Sequence, residues 1–147
     1  MKTLSLFILY IIIIIANILQ PFPIVQGIKV CVGTKLRRVF VVNGLPEGSN
    51  PLTLHCQSGD DDLGNRTLSS RQELDWKFCT NIFGKTLYFC HVWWGSKSAA
   101  FDVYNKDIEK NYCFGGLCHW EIFPDGIYSS NVKVYDWNSK HSSSLGF

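Results

Sequence analysis

The sequence predicts an all-β fold, an antiparallel β-sandwich of two sheets stabilised by disulfides. Strand-like segments recur about every ten to fifteen residues between turn residues, which is typical of sandwiches. No segment after the N-terminal apolar run shows long helical periodicity, and the chain of 147 residues contains six cysteines. No internal repeat is present, and the length fits one domain.

Residues 1–27 have the composition of a secretion signal. Lys2 supplies the positive start, and residues 4–16 are almost entirely apolar. We expect cleavage after Gly27 and a mature domain of residues 28–147. The apolar run is shorter than the ~20 residues that cross a bilayer, which disfavours a permanent membrane anchor. A secreted, extracellular protein is expected.

The strands of the domain are predicted from β-branched or alternating apolar residues bounded by turns. In the second strand, Leu52, Leu54 and Cys56 are expected to face the core. In the third predicted strand, Trp76 and Phe78 should point toward the core. The predicted strands are residues 37–42, 51–57, 74–78, 86–94, 99–104, 120–123 and 126–128.

Residues 81–85 are interpreted as a connection between the third and fourth of these strands. Residues 105–111 are densely charged and predict a solvated loop, and residues 124–126 predict a hairpin turn. The serine-rich tail, residues 138–147, is expected to be frayed.

An acidic loop, Asp60, Asp61 and Asp62, follows the second strand. Burying an unpaired carboxylate would cost several kcal/mol, so these side chains must be exposed or paired. We interpret them as a recognition loop; the simpler alternative is one aspartate closing an Asx turn while the others face solvent. The positions that an EF-hand needs for glycine and glutamate hold Asn65 and Arg71, so that motif is absent. A looser calcium site is the minor alternative, and no metal site is predicted.

Charge and motifs exclude several classes of function. The net charge is +2, and Arg37–Arg38 is an isolated basic pair, so nucleic-acid binding is not expected. His55, His91 and His119 could in principle form a ribonuclease-like acid–base pair. None of them has a lysine at a spacing that indicates a shared active site. No Gly-x-Ser-x-Gly motif occurs. The sequence therefore predicts no enzyme and no cofactor.

Six cysteines in a secreted chain indicate disulfides, but they allow fifteen pairings. Cys113 and Cys118 have the spacing of a local clip. Zinc is disfavoured because only His119 lies nearby and the compartment is oxidising. Asn65 begins the one permitted Asn-x-Thr sequon, which predicts a glycan on a surface loop.

Adjacent aromatic residues suggest a rival function. Trp93–Trp94 and Tyr88–Phe89 could stack on sugar rings if they were exposed. In a strand, one residue of each adjacent pair must face the core. We therefore expect one of Trp93 and Trp94 to be buried, and a carbohydrate-binding or defence module is the alternative function.

Several motifs in a fixed order resemble the plant self-incompatibility protein S1 family, whose members are also called S-protein homologues. They are His55-Cys56-Gln57-Ser58, Asp60-Asp61-Asp62-Leu63-Gly64, Trp76-x-Phe78, Thr86-Leu87-Tyr88-Phe89-Cys90, Cys113-x4-Cys118-x-Trp120 and Asp125-Gly126-Ile127-Tyr128. The resemblance covers essentially the whole mature chain. It implies a small secreted β-sandwich with two disulfides, and the founding members are stigma-secreted ligands that act on incompatible pollen.

Carried over by position, the family pairing implies the disulfides Cys56–Cys90 and Cys113–Cys118. Cys31 and Cys79 depart from the four-cysteine pattern. A third disulfide between them is the first interpretation, with free thiols or an intermolecular link as alternatives.

With this resemblance, we expect a monomeric, non-enzymatic signalling ligand of a plasma-membrane receptor. Surface loops would supply the contacts with that receptor. The candidates are residues 44–50, 60–62 and 105–111.

Overall fold

Two β-sheets packed face to face confirm the predicted all-β sandwich. A computed structural model describes residues 2–18 and 29–140. The elements are α1 (Lys2–Ile18), β1 (Leu36–Asn43), β2 (Leu52–Ser58), β3 (Asp62–Leu68), β4 (Glu73–Cys79), β5 (Tyr88–Trp94), β6 (Lys97–Tyr104), α2 (Lys106–Tyr112), β7 (Cys113–Phe114), β8 (Leu117–Phe123), β9 (Gly126–Ser129) and β10 (Val132–Tyr135). The larger sheet has the order β10–β9–β8–β1–β4, with β7 paired to β8, and the smaller has the order β3–β2–β5–β6.

Alternating side chains from both sheets fill the core, as the strand pattern predicts. The inward residues predicted for β2 and β4 are all buried: Leu52, Leu54, Cys56, Trp76 and Phe78. At the centre, the buried Trp120 indole donates a hydrogen bond to the Val103 carbonyl at 3.0 Å. That bond satisfies a polar group that would otherwise be costly to bury.

One pairing differs from the antiparallel prediction. Strands β1 and β8 run parallel, with Val39 opposite Cys118 and Val41 opposite Trp120. Parallel neighbours need a long crossover, and here the chain builds the whole second sheet and α2 between the two strands. Local alternation carries no information about such a distant partner, so the larger sheet is mixed.

A short helix replaces the predicted solvated loop at residues 105–111. The Asn105 side chain caps α2 by accepting hydrogen bonds from the amides of Asp107 (2.9 Å) and Ile108 (2.8 Å). Ile108 is buried against the core. The loop prediction is wrong because seven residues are too few to display helical periodicity, although the capping asparagine is a recognisable signal.

Two edge strands, β3 and β10, were not expected from the pattern. Strand β3 contains Asp62, the sequon residue Asn65 and one buried residue, Leu68. Asn65 therefore lies in an exposed strand and not in the predicted loop. A polar edge strand lacks the alternation by which strands are recognised.

The start of the tail is ordered against β6. The Asn138 amide donates to the Ser98 carbonyl at 2.7 Å, and the Ala100 amide donates to the Ser139 carbonyl at 2.9 Å. The prediction of a frayed tail is wrong for these two residues. Residues 141–147 lie outside the described part of the chain.

At the other terminus, the side chains of residues 4–15 in α1 are exposed. No helix among residues 2–18 and 29–140 is both long and apolar enough to traverse a bilayer. The predicted cleavage position, Gly27, lies outside the described residues.

The loops gather at two opposite ends of the sandwich. The disulfide end comprises residues 29–35, 59–61, 80–87, helix α2 and the turn at residues 115–116. The hydrogen-bonded end comprises residues 44–51, 69–72, 95–96 and 124–125.

Candidate recognition surface

Three disulfides cross-link the disulfide end, and every cysteine of the chain is paired. The pairs, with their Cα–Cα separations, are Cys31–Cys79 (5.5 Å), Cys56–Cys90 (4.1 Å) and Cys113–Cys118 (4.3 Å). They include both pairs that the family resemblance implies. The bond between Cys31 and Cys79 is the first of the three interpretations that the sequence left open.

The acidic loop lies directly beyond one of these cross-links, at the end of β2. The amides of Asp60 and Asp61 donate to the Ser58 hydroxyl at 3.2 and 3.0 Å, and the Ser58 amide donates to the Asp61 carbonyl at 2.7 Å. Cys56, two residues earlier, is bonded to β5. The loop is therefore a closed turn on a covalently fixed strand.

Asp61 is held by a side chain from β5. The Tyr88 hydroxyl donates to its carboxylate at 2.5 Å. Burial raises the pKa of Tyr88 to about 12, and the hydrogen bond to Asp61 contributes to the rise. The tyrosine therefore remains a protonated donor at neutral pH.

The third aspartate belongs to β3 and not to the loop. One oxygen of Asp62 accepts from the Gly64 amide at 2.8 Å and from His55 Nε2 at 2.5 Å. These two hydrogen bonds hold the pKa of the exposed Asp62 carboxyl below its usual value, and the bond from His55 has the larger effect. The Asp62–Gly64 bond is the Asx turn expected under the simpler interpretation, so this carboxylate has a structural role.

Asp60 differs from its two neighbours. Its carboxylate is exposed, and no hydrogen bond or ion pair to the rest of the described chain holds it. Lys29 and Lys85 line the same shallow cavity as Asp60 and Asp61. Of the predicted recognition loop, Asp60 is thus the carboxylate most available to a partner.

Beside the acidic loop, residues 80–87 present two large apolar side chains. Ile82 is 77% exposed and Phe83 is 81% exposed. The turn beneath them is ordered, because the Asn81 side chain accepts from the Phe83 amide at 2.8 Å and the Asn81 carbonyl accepts from Gly84 at 3.0 Å. Local sequence reasoning treated this segment only as a connection.

Helix α2 completes the same end. Glu109 accepts from Arg37 Nε at 2.7 Å and from Arg37 Nη2, and its other oxygen accepts from the Tyr104 hydroxyl at 2.7 Å. Although partial burial opposes ionisation, the bonds from Tyr104 and Arg37 prevail and lower the pKa of Glu109. Tyr104 itself has its pKa raised to about 12, chiefly by burial.

The predicted contact segments do not all come together. Residues 60–62 and 105–111 share the disulfide end, whereas residues 44–50 lie at the hydrogen-bonded end. A single partner of ordinary footprint would therefore engage one group of loops or the other.

Two of the three histidines that the sequence analysis considered as an acid–base pair lie together on the outer face of the smaller sheet. His55 on β2 is directly opposite His91 on β5 and Asn65 on β3. The His91 ring stacks on Trp93 with centroids 3.9 Å apart, while burial and the charge of His55 lower the pKa of His91. The Cys56–Cys90 pairing implied by the resemblance could have predicted this contact. In an antiparallel pair, the residue before Cys56, His55, lies opposite the residue after Cys90, His91.

The aromatic pair at residues 93–94 divides between the two faces of the sheet. Trp94 packs against the core, as expected for one member, and Trp93 lies on the outer face, half-buried. No group of three or more potential metal ligands occurs among the described residues.

This fold and surface define a small disulfide-bonded β-sandwich with ordered loops at its cross-linked end. A model of the family described as plant self-incompatibility protein S1 matches residues 38–141. Similar proteins in Arabidopsis thaliana include S-protein homolog 5, 42% identical over 92 residues (61% of this chain, 70% of the relative), and S-protein homolog 2, 38% identical over 116 residues (71% and 70%). S-protein homolog 24 is 34% identical over 128 residues (84% and 82%).

The chain belongs to the plant self-incompatibility protein S1 family, which is not a known enzyme family. The family resemblance found in the motifs is thereby confirmed. No solved structure matches the chain significantly.

Proposed function

We propose that this protein is a secreted, monomeric, non-enzymatic signalling ligand that a plasma-membrane receptor recognises through the loops of the disulfide end. Residues 1–27 serve as its signal peptide. Support comes from the apolar, exposed side chains of α1 and from three disulfides, which form in oxidising compartments.

One observation carries the proposal. The acidic loop, with the unpaired Asp60 carboxylate, and the exposed pair Ile82–Phe83 occupy the same covalently cross-linked end. Rigid loops lose little conformational entropy when they bind, so a cross-linked end favours specific recognition. Large apolar side chains surrounded by charges are typical of protein-binding surfaces.

A glycan at Asn65 would be compatible with this arrangement. Asn65 is exposed on the edge strand β3, opposite His55. A sugar chain there would cover the outer face of the smaller sheet and leave the disulfide end accessible.

Binding of the oxidised mature protein to plant plasma-membrane vesicles tests the proposal. We expect saturable binding that protease treatment of the vesicles abolishes, and a weaker affinity for Asp60→Asn. The matched control is Glu47→Gln, which removes an exposed carboxylate at the hydrogen-bonded end and should bind as the parent does. Binding that survives protease, or equal losses in both variants, would refute recognition through this end.

The outer-face Trp93 favours one second candidate, carbohydrate binding. Its stacking on His91 resembles a platform for a sugar ring. Titration with cell-wall oligosaccharides should then quench tryptophan fluorescence saturably in the parent and not in Trp93→Phe. Quenching that Trp93→Phe retains would assign the signal to another tryptophan and reject this candidate.

A further inference from the structure

A cavity with charged side chains in its wall lies at the disulfide end, where the exposed Ile82 contributes to its lining and Phe83 is the next residue. Its volume is about 240 Å³, and it opens between residues 33–35, the loop of residues 80–86 and helix α2. Lys35, Lys106 and Glu109 contribute the charged side chains of its wall. The cavity is large enough to hold a carboxylate-bearing side chain.

The charges of this wall do not balance. Glu109 is already occupied by Arg37 and by the Tyr104 hydroxyl. No ion pair or side-chain hydrogen bond within the described chain engages the ammonium groups of Lys35 and Lys106, and Lys35 acts on Glu109 through its charge alone. Two cations beside a compensated carboxylate leave an excess of positive charge, which attracts an anion.

The cavity is held in shape before any ligand arrives. The Lys35 amide donates to the Thr80 hydroxyl at 3.1 Å, and the Thr80 amide donates to the Lys35 carbonyl at 2.9 Å. The adjacent disulfide Cys31–Cys79 fixes the same two segments. Within the loop of residues 80–86, the Asn81 amide donates to the Thr86 hydroxyl at 2.5 Å. Such preorganisation lowers the entropy cost of binding.

The neighbouring cavity presents charges of both signs. Asn81 and Thr86 line both this cavity, which contains Asp60, Asp61, Lys29 and Lys85, and the cavity that contains Lys35 and Lys106. A flat anionic bilayer or a long polyanion would meet these carboxylates as well as the lysines. A single carboxylate flanked by apolar surface would reach the lysines and cover Ile82 and Phe83.

We propose that this cavity binds a carboxylate of the protein partner, an aspartate, a glutamate or a chain terminus, with Ile82 and Phe83 packing against apolar surface beside it. The inference rests on the proposed function, since it names the chemistry that the receptor presents. The acidic side chain lies between Lys35 and Lys106, and the apolar contact excludes water around it.

The first experiment probes the cavity without any receptor. Amide shifts of the isotope-labelled protein are followed by NMR during titration with N-acetyl-glutamate amide, and with N-acetyl-glutamine amide as the uncharged match. We expect shifts at Lys35, Thr80 and Lys106 with the glutamate derivative only, and their loss in Lys35→Gln/Lys106→Gln. Equal shifts with both compounds, or none at these residues, would overturn the inference.

The second experiment measures affinity for plant plasma-membrane vesicles. Removing two partly exposed charge contacts should weaken binding about ten-fold in Lys35→Gln/Lys106→Gln. Ile82→Ser/Phe83→Ser should also weaken it, while Lys77→Gln, an exposed charge on β4, should not. Unchanged melting temperatures exclude misfolding as the cause.

The outcomes separate this inference from the proposed function. If Asp60→Asn weakens binding but both cavity variants bind as the parent does, the function stands and the cavity assignment fails. If the parent does not bind vesicles at all, the function fails, and the NMR titration alone decides on the carboxylate site. Binding to protein-free phosphatidylserine–phosphatidylcholine vesicles would overturn a protein partner.

Discussion

At the disulfide end, three covalent bonds fix the chain around the loops, whereas at the hydrogen-bonded end none of the six cysteines is present. At that end, Asn43 holds the loops together through hydrogen bonds. Its side chain is 1% exposed, donates to the Leu68 carbonyl and accepts from the Leu45 amide, both at 2.9 Å. Its backbone also bonds to Arg71 and Gln72.

The two ends differ in which side chains remain exposed and able to contact a partner. At the hydrogen-bonded end, buried polar groups are used to close the loops on themselves. At the disulfide end, covalent closure allows Asp60, Ile82 and Phe83 to remain exposed in ordered turns. Cross-links thus stabilise a surface that loop packing alone would leave poorly fixed.

The largest expected effect is the removal of the buried disulfide. Cys56→Ala/Cys90→Ala opens a loop with a sequence separation of 34, which should lower the free energy of unfolding by about 4 kcal/mol. Cys113→Ala/Cys118→Ala, with a separation of 5, is the matched control and should cost about 2 kcal/mol. Urea unfolding measures both; a clip variant as unstable as the first would contradict the loop-closure explanation.

The second-largest loss of stability is expected for Asn43 at the hydrogen-bonded end. Asn43→Ala leaves the Leu45 amide and the Leu68 carbonyl without their buried partner, so we expect a loss of about 2 kcal/mol. Asn50→Ala, at an exposed position of the same loop, should change stability by less than about 0.5 kcal/mol. Equal effects in urea unfolding would show that Asn43 does not organise this end.

The core of this arrangement was predictable, because alternation is a local signal. Leu52, Leu54 and Cys56 occupy one face of β2 for the reason that their spacing indicates. The parallel partner of β1 was not predictable, since nothing near Val39 in sequence identifies Cys118 as its neighbour. The motif resemblance identified the family, yet its four-cysteine pattern was silent on the third disulfide.

The candidate surface was predictable only in part. Asp60, Asp61 and Asp62 look equivalent in sequence, but Tyr88 and His55 engage two of them from other strands. The charged segment at α2 was misread for a similar reason. Its acidic residue Glu109 faces Arg37, which lies 72 positions earlier, and composition cannot distinguish such a contact from solvation.

Alkaline pH should destabilise the fold through its buried tyrosines, Tyr135 in β10 and two at the disulfide end. Tyr88 and Tyr104 have pKa values raised to about 12, against about 10 when unfolded, because they are buried and bonded to carboxylates. A group whose folded pKa is raised contributes stability below its unfolded pKa, and that contribution is lost as pH rises through the folded value. The melting temperature should therefore fall between about pH 10 and pH 12.

Circular dichroism melts across that range test the origin of the loss. In Tyr88→Phe/Tyr104→Phe the fall should be smaller, although the variant is less stable at neutral pH because Asp61 and Glu109 lose a donor. An identical fall in the parent and the variant would place the alkaline sensitivity elsewhere in the molecule.

The smallest effect expected is at α2, whose first turn at the disulfide end is closed by side-chain hydrogen bonds. Asn105→Ala removes the acceptor for the Asp107 and Ile108 amides and should cost about 1 kcal/mol. Asn105→Ser retains a capping oxygen and should cost a few tenths of that, about 0.3 kcal/mol. Hydrogen exchange should accelerate at these two amides in the alanine variant, while amides of β2 beside the disulfide keep their protection. Faster exchange throughout β2 would mean that α2 and the cross-linked strands open together, and that the two modes of closure are not independent.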